Sequence, residues 1–174
     1  MHEMHPRLSI VMRSSQPAIR PGRASDLAAV TALLLGAGLP TDDLTHASDL
    51  HLWVLEADGD VVGSIGIERF GVHALLRSLV IAPAHRGRGL GHRLVARLER
   101  DVQEKGVERL ILLTETAESF FRRNGFQILD RRLVPAQVTR SAEFRSLCPA
   151  SAVCMAKVLN QPNSPGVSDV DANV

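Results

Sequence analysis

The sequence is poor in several features by which classes of protein are recognised. Two cysteines are too few for a disulfide framework, and no apolar run approaches the roughly 20 residues that span a bilayer. The seven histidines are scattered without the spacing of a metal site, and the chain has no tyrosine. The formal net charge of +1 gives no reason to expect a nucleic-acid or membrane partner. These absences leave a globular protein, which we expect in the cytoplasm and without a metal.

The chain length suits one domain with unstructured ends. A chain of 174 residues, 45% of them hydrophobic, can bury about two thirds of the surface that its unfolded form exposes. Residues 1–17 show no sustained hydrophobic period and predict a disordered leader. Residues 160–174 are rich in Pro, Gly, Ser and Asp and predict a disordered tail. The folded domain is therefore expected within residues 18–159.

Hydrophobic patterns predict the order of elements along this domain. The predicted strands cover residues 18–21, 52–56, 61–68, 72–82, 107–113, 126–132 and 153–158. The predicted helical segments are a helix capped by Ser25 and ended by Gly36, a short second helix in the polar connection that starts at residues 39–44, helices at 90–105 and 114–126, and a turn from Pro135. A helical crossover into residues 107–113 makes that strand parallel to the one before it.

The most informative stretch runs from an apolar strand into a glycine-rich loop and an amphipathic helix. Glycine occupies every second position of the loop, at Gly87, Gly89 and Gly91, and apolar residues then recur with a helical period from Leu90. The first turn of a helix has unpaired N–H groups and a partial positive charge, and glycine lets a bulky anion approach the backbone closely. This chemistry predicts a phosphate or pyrophosphate ligand.

The spacing of the glycines distinguishes this loop from two common phosphate sites. A Rossmann loop requires G-x-G-x-x-G and a P-loop requires Gly-Lys-Ser/Thr, and neither occurs here. Instead Arg86, Gly89 and Gly91 follow a strand that ends in Val-Ile-x-Pro. This pattern resembles motif A of the GNAT superfamily, the acetyl-CoA-dependent N-acetyltransferases, whose loop wraps the CoA pyrophosphate. A glycine-rich turn without a ligand is the alternative interpretation.

A second motif supports the resemblance. The pattern Ala117-x-x-Phe120-Phe121-x-x-x-Gly125-Phe126 resembles the GNAT helix that packs beside the CoA thiol. The predicted order of elements also agrees with that fold. The resemblance implies an α/β (α+β) protein with the GNAT fold. It has a mixed, mostly antiparallel sheet of six to seven strands, a parallel central pair that splays at the acetyl-CoA site, and helices on both faces.

The resemblance implies direct transfer of an acetyl group from acetyl-CoA to an amine in a ternary complex. In the GNAT fold a bulge frees backbone N–H groups of the central strand, and here the N–H of Val80 would polarise the acetyl carbonyl. The same strand edge would pair with the pantetheine arm. The cofactor-binding residues expected on this basis are Leu79, Val80, Ile81, Arg86, Gly87, Arg88, Gly89, Leu90, Gly91, Thr114 and Phe121.

The sequence departs from the family at both proton-transfer positions. The usual general acid is a Tyr at the position where this chain has Phe121. The CoA thiolate is therefore expected to take a proton from water or another group, or to leave without a dedicated acid. The last route is feasible because thiol pKa values lie near ~8.5. Many members carry a Glu base near the position of Leu75. Our candidates for the base are Glu68 and Glu115, and the alternative is that both are exposed strand-end carboxylates.

The acceptor is predicted from one unusual residue and one resemblance. Arg77 interrupts an apolar strand, so it is either a structural ion-pair partner or a ligand of a substrate carboxylate. Residues 142–155, 76–79 and 112–117 together resemble the GNAT subgroup of arsenic-resistance operons and, more distantly, glutamate N-acetyltransferases. This resemblance implies that the acceptor is the amine of an amino acid or an amino-acid-like toxin.

Several alternatives remain open from the sequence. The chain could acetylate protein N-termini or lysines, or it could be a catalytically silent acetyl-CoA-binding module, which the missing Tyr makes credible. Cys148 and Cys154 invite a metalloid site, but a loop position and a small residue in the last strand explain them better. The expected partner is a small amine, and the expected assembly is a monomer or homodimer.

Overall fold

The computed structural model describes residues 16–45 and 49–159, which form a seven-stranded sheet with helices around it. The strands are β1 (Ala18–Pro21), β2 (Leu50–Ala57), β3 (Asp60–Phe70), β4 (His73–Ile81), β5 (Arg109–Thr114), β6 (Gln127–Ile128) and β7 (Val153–Val158). They lie in the order β1-β2-β3-β4-β5-β7-β6. Among the described strands only the β4–β5 pair is parallel. The mixed, mostly antiparallel sheet predicted from the sequence is confirmed.

Four α-helices and several short turns connect the strands. The helices are α1 (Leu27–Gly36), α2 (Leu90–Gln103), α3 (Glu118–Arg123) and α4 (Ala136–Thr139). Three 3-10 turns lie at Ala24–Asp26, Pro83–His85 and Arg131–Leu133, and a π-helical turn lies at Glu143–Leu147. The helix predicted after the glycine loop is therefore confirmed, whereas the π-helical turn was not expected.

The helices cover both faces of the sheet, as predicted. Successive side chains of a strand point to opposite faces. In β2, Trp53 and Leu55 accordingly belong to the hydrophobic cluster that contains the buried face of α2, whereas Val54 packs with Val30 and Leu34 of α1. A third cluster lies under α4. The site is thus built on a sheet that is buried from both sides.

The central strands separate at their carboxyl ends. The β4–β5 pairing runs only from His73–Arg109 to Leu75–Ile111 among the described residues, although β4 continues to Ile81. The β3–β4 register shifts between Ser64 and Gly66, and Ser78 opposite this shift has φ +55°. The Ser64 hydroxyl donates to the carbonyl of Ser78 at 2.9 Å and supports this left-handed conformation. A bulge and a splay are therefore both present in β4.

Three local predictions are wrong in detail. Ser25 lies inside a 3-10 turn, and its side chain does not cap α1. The capping interaction before α1 is instead made by the Asp26 carboxylate, which accepts the backbone N–H of Arg23 at 2.7 Å. The described residues 37–45 contain turns and no helix, so the short second helix is absent there. The strand predicted at 126–132 is reduced to the two residues of β6, because a 3-10 turn follows at Arg131–Leu133.

The predicted disordered leader (residues 1–17) and tail (residues 160–174) lie outside the described residues, apart from residues 16 and 17. Among those that the structure describes, no helix has the length and apolarity to cross a membrane.

An ion pair fastens β1 to the start of α1. The guanidinium of Arg20 donates to both carboxylate oxygens of Asp26, at 2.7 and 3.0 Å, and its Nε donates to Glu56 on β2 at 2.8 Å. Asp26 is buried, with 7% of its surface exposed. The hydrogen bond from Arg20 lowers the pKa of Asp26 to about 2. The ionised carboxylate therefore holds two elements and the chain between them together.

We predict that Asp26→Asn lowers the free energy of unfolding at neutral pH by about 1.5–3 kcal/mol, because a charged hydrogen-bond partner is lost. Since the pKa of Asp26 is depressed in the folded state, its contribution is complete above pH 4 and lost as the pH falls toward 2. Urea unfolding at several pH values should therefore show the two proteins converging in acid. A difference in unfolding free energy that does not change with pH would contradict this assignment. The control is Asp130→Asn, which removes an exposed ion pair with Arg132.

Candidate active site

A cavity of about 1430 Å³ opens where β4 and β5 separate. Its walls are the second half of β4, the end of β5, the glycine loop, α3, the connection after α1 and the segment around the π-helical turn. The cavity is open to solvent, and its volume is large enough to hold an extended ligand beside a smaller one.

The edge of β4 forms the middle of this cavity. Leu79, Val80 and Ile81 all line it, and Val80 is buried. One edge of β4 pairs with β3, while the edge toward β5 has no strand partner beyond Leu75 among the described residues. Unpaired N–H and C=O groups of such an edge can bind an extended ligand as an added strand would.

The glycine loop stands at one end of the cavity and has the geometry of an anion site. Gly87 and Gly89 adopt φ of +75° and +72°, and an added Cβ would meet no atom within 4 Å at either position. Gly89 is the N-cap of α2, and the first residues of that helix line the cavity, so the N–H groups that a first turn leaves unpaired lie beside it. Arg86 also lines the cavity, but its Nε donates to the carbonyl of Ile81 at 2.9 Å.

The third glycine has a packing role. A Cβ on Gly91 would lie 3.2 Å from the ring of Phe120, so glycine here allows α3 to approach α2. Phe121 is buried, lines the cavity and makes edge contacts with Phe120 and Phe126, at centroid distances of 5.2 and 5.5 Å. The aromatic residues therefore pack α3 against the hydrophobic core and place this helix in the wall of the cavity.

The remaining predicted cofactor and catalytic residues divide into two groups. Leu90 lines the cavity, as do Thr114 and Glu115 at the end of β5, and the Thr114 hydroxyl accepts the N–H of Ala117 at 3.0 Å. Arg88 and Glu68 are not among the lining residues. The structure thus brings most of these residues to one cavity, and their individual roles stay predictions.

Arg77 lies at the other end of the cavity and is paired within the protein. Its side chain is fully buried, and both terminal nitrogens contact the carboxylate of Asp43. Its Nη2 also lies 3.2 Å from Glu143, and Nη1 lies 3.8 Å from Glu68. This geometry favours the structural ion pair over a ligand of a substrate carboxylate, the two roles that the sequence left open.

Three carboxylates share this one guanidinium, so the cluster of Asp43, Glu68, Arg77 and Glu143 carries surplus negative charge when all are ionised. Glu68 is the least satisfied member, because its Oε2 is buried without a hydrogen-bond partner in the described part of the chain. Burial raises the pKa of Glu68, against the opposing effect of Arg77. Burial by itself would lower the pKa of Arg77. The hydrogen bond to Asp43 and the charges of the surrounding carboxylates together have the larger effect, so the pKa of Arg77 is raised.

The two cysteines lie in different surroundings. Cys148 lines the cavity and its thiol donates to Glu143 at 3.1 Å, and burial together with that carboxylate raises the pKa of Cys148 to about 12. Cys154 packs in the cluster under α4 with Leu75 and Ile111, and burial raises its pKa to about 11. Neither is a ready thiolate, which is the form that binds metalloids and acts as a nucleophile.

Comparison with known proteins identifies the architecture. Residues 48–128 match the family model of the acetyltransferase (GNAT) domain. This part of the chain is therefore similar to GNAT acetyltransferase domains. The chain is 26% identical over 152 residues to an uncharacterized N-acetyltransferase of Chlorobaculum tepidum, covering 82% of this chain and 94% of that protein. It is 28% identical over 159 residues to the amino-acid acetyltransferase of Mycobacterium tuberculosis, covering 85% and 87% respectively.

A solved structure supports the same conclusion for the fold. The structure of a Mycobacterium tuberculosis protein in complex with CoA and NLQ superposes with a TM-score of 0.70 at 27% identity, covering 83% of this chain and 100% of that chain. The predicted GNAT fold, the enzyme class and acetyl-CoA as the co-substrate of this class are confirmed at the level of the family. The subgroup and the acceptor are not identified by these similarities.

The acetyltransferase contains site residues that the sequence did not single out. These are Asp43 and Glu143, which complete the cluster around Arg77. Cys148, considered from the sequence only as a metalloid ligand, donates its thiol to Glu143. The one available signal was Arg77 itself, because a guanidinium in an apolar strand requires carboxylate partners. Which carboxylates supply them depends on loops that are remote in sequence.

We predict that Gly89→Val removes the thermal stabilisation by acetyl-CoA, because a β-branched residue cannot adopt the left-handed φ of the loop without strain. For the wild type, ligand at 100 times its Kd should add about 2.7 kcal/mol. Gly59→Val is the matched control, since Gly59 has φ +91° in the β2–β3 turn and does not line the cavity. It should lower the thermal midpoint and keep the shift. An unchanged shift in Gly89→Val would contradict the pyrophosphate site.

We predict that Arg77→Leu lowers the free energy of unfolding by about 3–5 kcal/mol, since it leaves buried carboxylates without their counter-ion. Urea unfolding measures this loss. Arg69→Leu, at an exposed position on neighbouring β3, is the control and should change stability little. If Arg77→Leu keeps its stability and instead raises only the acceptor KM, Arg77 binds the acceptor carboxylate.

Proposed function

We propose that the protein transfers the acetyl group of acetyl-CoA to the primary amine of a small molecule, an amino acid or an amino-acid-like compound. The observation that carries this proposal is the opposite character of the two ends of one cavity. The glycine loop and Arg86 offer positive charge and N–H groups at one end, and Glu143, held by Arg77, offers a carboxylate at the other. A pyrophosphate suits the first end and an ammonium suits the second.

The reaction proposed is direct attack in a ternary complex. The amine nitrogen forms a bond to the thioester carbon, the C–S bond breaks, and its electron pair leaves with the CoA sulfur. The N–H of Val80 would donate to the developing oxyanion, and holding both reactants in one cleft supplies part of the rate enhancement. Phe121 lacks a hydroxyl, so water protonates the departing thiolate.

The relatives support an amino-acid acceptor. One relative that matches most of this chain is named an amino-acid acetyltransferase, and the superposed structure contains CoA. A role in arsenic resistance, a cytoplasmic location and a monomeric or homodimeric state are parts of the proposal that rest on the sequence alone.

The proposal predicts CoA release from acetyl-CoA with free amino acids or related small amines, at least about tenfold faster than with peptides. A panel of free amino acids, decarboxylated amines and peptides, followed by thiol detection and mass spectrometry of the product, tests it. N-methylated or already acetylated acceptors are the controls.

The other outcomes distinguish the alternatives that the sequence left open. Faster transfer to peptides would make the protein a peptide or protein acetyltransferase. Binding of acetyl-CoA without turnover on any amine would support the silent module.

A further inference from the structure

Glu143 differs from the other carboxylates at the acceptor end of the cavity. It begins the π-helical turn, lines the cavity and is buried, with 7% of its surface exposed. Asp42 and Glu115 line the same cavity but are exposed, and Glu68 does not line it. A buried carboxylate that faces a ligand cavity interacts with charge more strongly than a solvated one does.

Both oxygens of Glu143 are held in place. Oε1 lies 3.2 Å from Nη2 of Arg77, and Oε2 accepts the thiol of Cys148 at 3.1 Å. Arg77 is in turn fixed by Asp43, which lies in the connection after α1. The carboxylate therefore has a defined position, and the rest of the cluster determines that position.

The charge around Glu143 favours a cation. Glu143 contacts Arg77 and Cys148 directly. The charged groups around these partners are Asp43 and Glu68, which contact Arg77, and Glu115 after β5, whose charge acts on Cys148. Asp43 and Glu68 compete for the same guanidinium, so Arg77 does not neutralise Glu143 alone. An ammonium that enters the cavity would compensate the remaining negative charge.

We propose that Glu143 binds the ammonium group of the acceptor and accepts its proton, with Arg77 as the positioning residue. The inference rests on the proposed function and assigns its general base. A primary amine such as a lysine side chain has a pKa near ~10.4 and an α-amine one near ~7.7–8.0, so the acceptor arrives mainly protonated. The N–H bond breaks toward the carboxylate oxygen and nitrogen keeps the electron pair for attack on the thioester. The proton then passes from Glu143 to solvent.

The test is Glu143→Gln, which keeps the shape and the polar contacts but removes the charge. We expect kcat/KM for the preferred amine to fall by about 10²–10⁴, as for loss of a general base, while the acetyl-CoA thermal shift stays the same. Glu104→Gln, at an exposed position after α2 and away from the cavity, should keep the activity of the wild type.

A weakly basic acceptor separates proton transfer from structural damage. An aminooxy analogue is mostly unprotonated at neutral pH and needs no base before attack. Glu143→Gln should therefore lose much less activity with this analogue than with the ordinary amine, and its activity with the amine should recover as the pH is raised. An equal loss with both acceptors, or wild-type kcat/KM with both, would overturn the assignment.

Two further measurements keep the outcomes distinct. If Glu143→Gln does not fold, Glu143→Asp takes its place, and its ratio of activity on the two acceptors decides by the same criterion. Arg77→Lys should shift that ratio in the same direction, because a point charge positions Glu143 less well than a planar guanidinium. If the wild type acetylates no small amine, the proposed function fails. If the wild type is active but the variants lose activity equally on both acceptors, only the role assigned to Glu143 is wrong.

Discussion

The early end of the parallel pairing between β4 and β5 is the constraint on which the rest of the site depends. After Leu75 the two strands separate, and the left-handed conformation of Ser78 interrupts the β3–β4 ladder, which resumes at Val80. An unpaired strand edge inside a protein requires another occupant for its N–H and C=O groups. The cavity, the free strand edge and the nearby glycine loop all follow from this separation.

The separation also explains why charged groups are buried so close to a hydrophobic core. Arg77 points into the region that opens between the strands, and loops on either side supply Asp43 and Glu143. Removing charges from water is costly, and this cost is offset only where several partners hold them. The cluster thus connects the sheet, the connection after α1 and the π-helical turn beside the cavity.

The local part of this organisation could be predicted from the sequence. The glycine spacing predicted the loop, the helical period predicted the buried face of α2, and the apolar strands predicted a central sheet with one parallel pair. These features depend on residues within one turn or one strand of each other, so the sequence displays them directly. Gly91 is an exception to this local prediction. A side chain at this position would collide with the ring of Phe120, which lies some thirty residues later in the sequence.

By itself the sequence determined the family resemblance, predicted the kind of ligand at the glycine loop, and showed that Arg77 needed a partner. Only the tertiary structure decided which partners it has. Asp43, Glu68 and Glu143 lie on a loop, a strand and a turn that are far apart along the chain, and no local period relates them. The physical reason is that a buried charge requires neighbours of opposite charge, whatever their position in the sequence. The packing of the loops over the separated strands determines which residues those neighbours are.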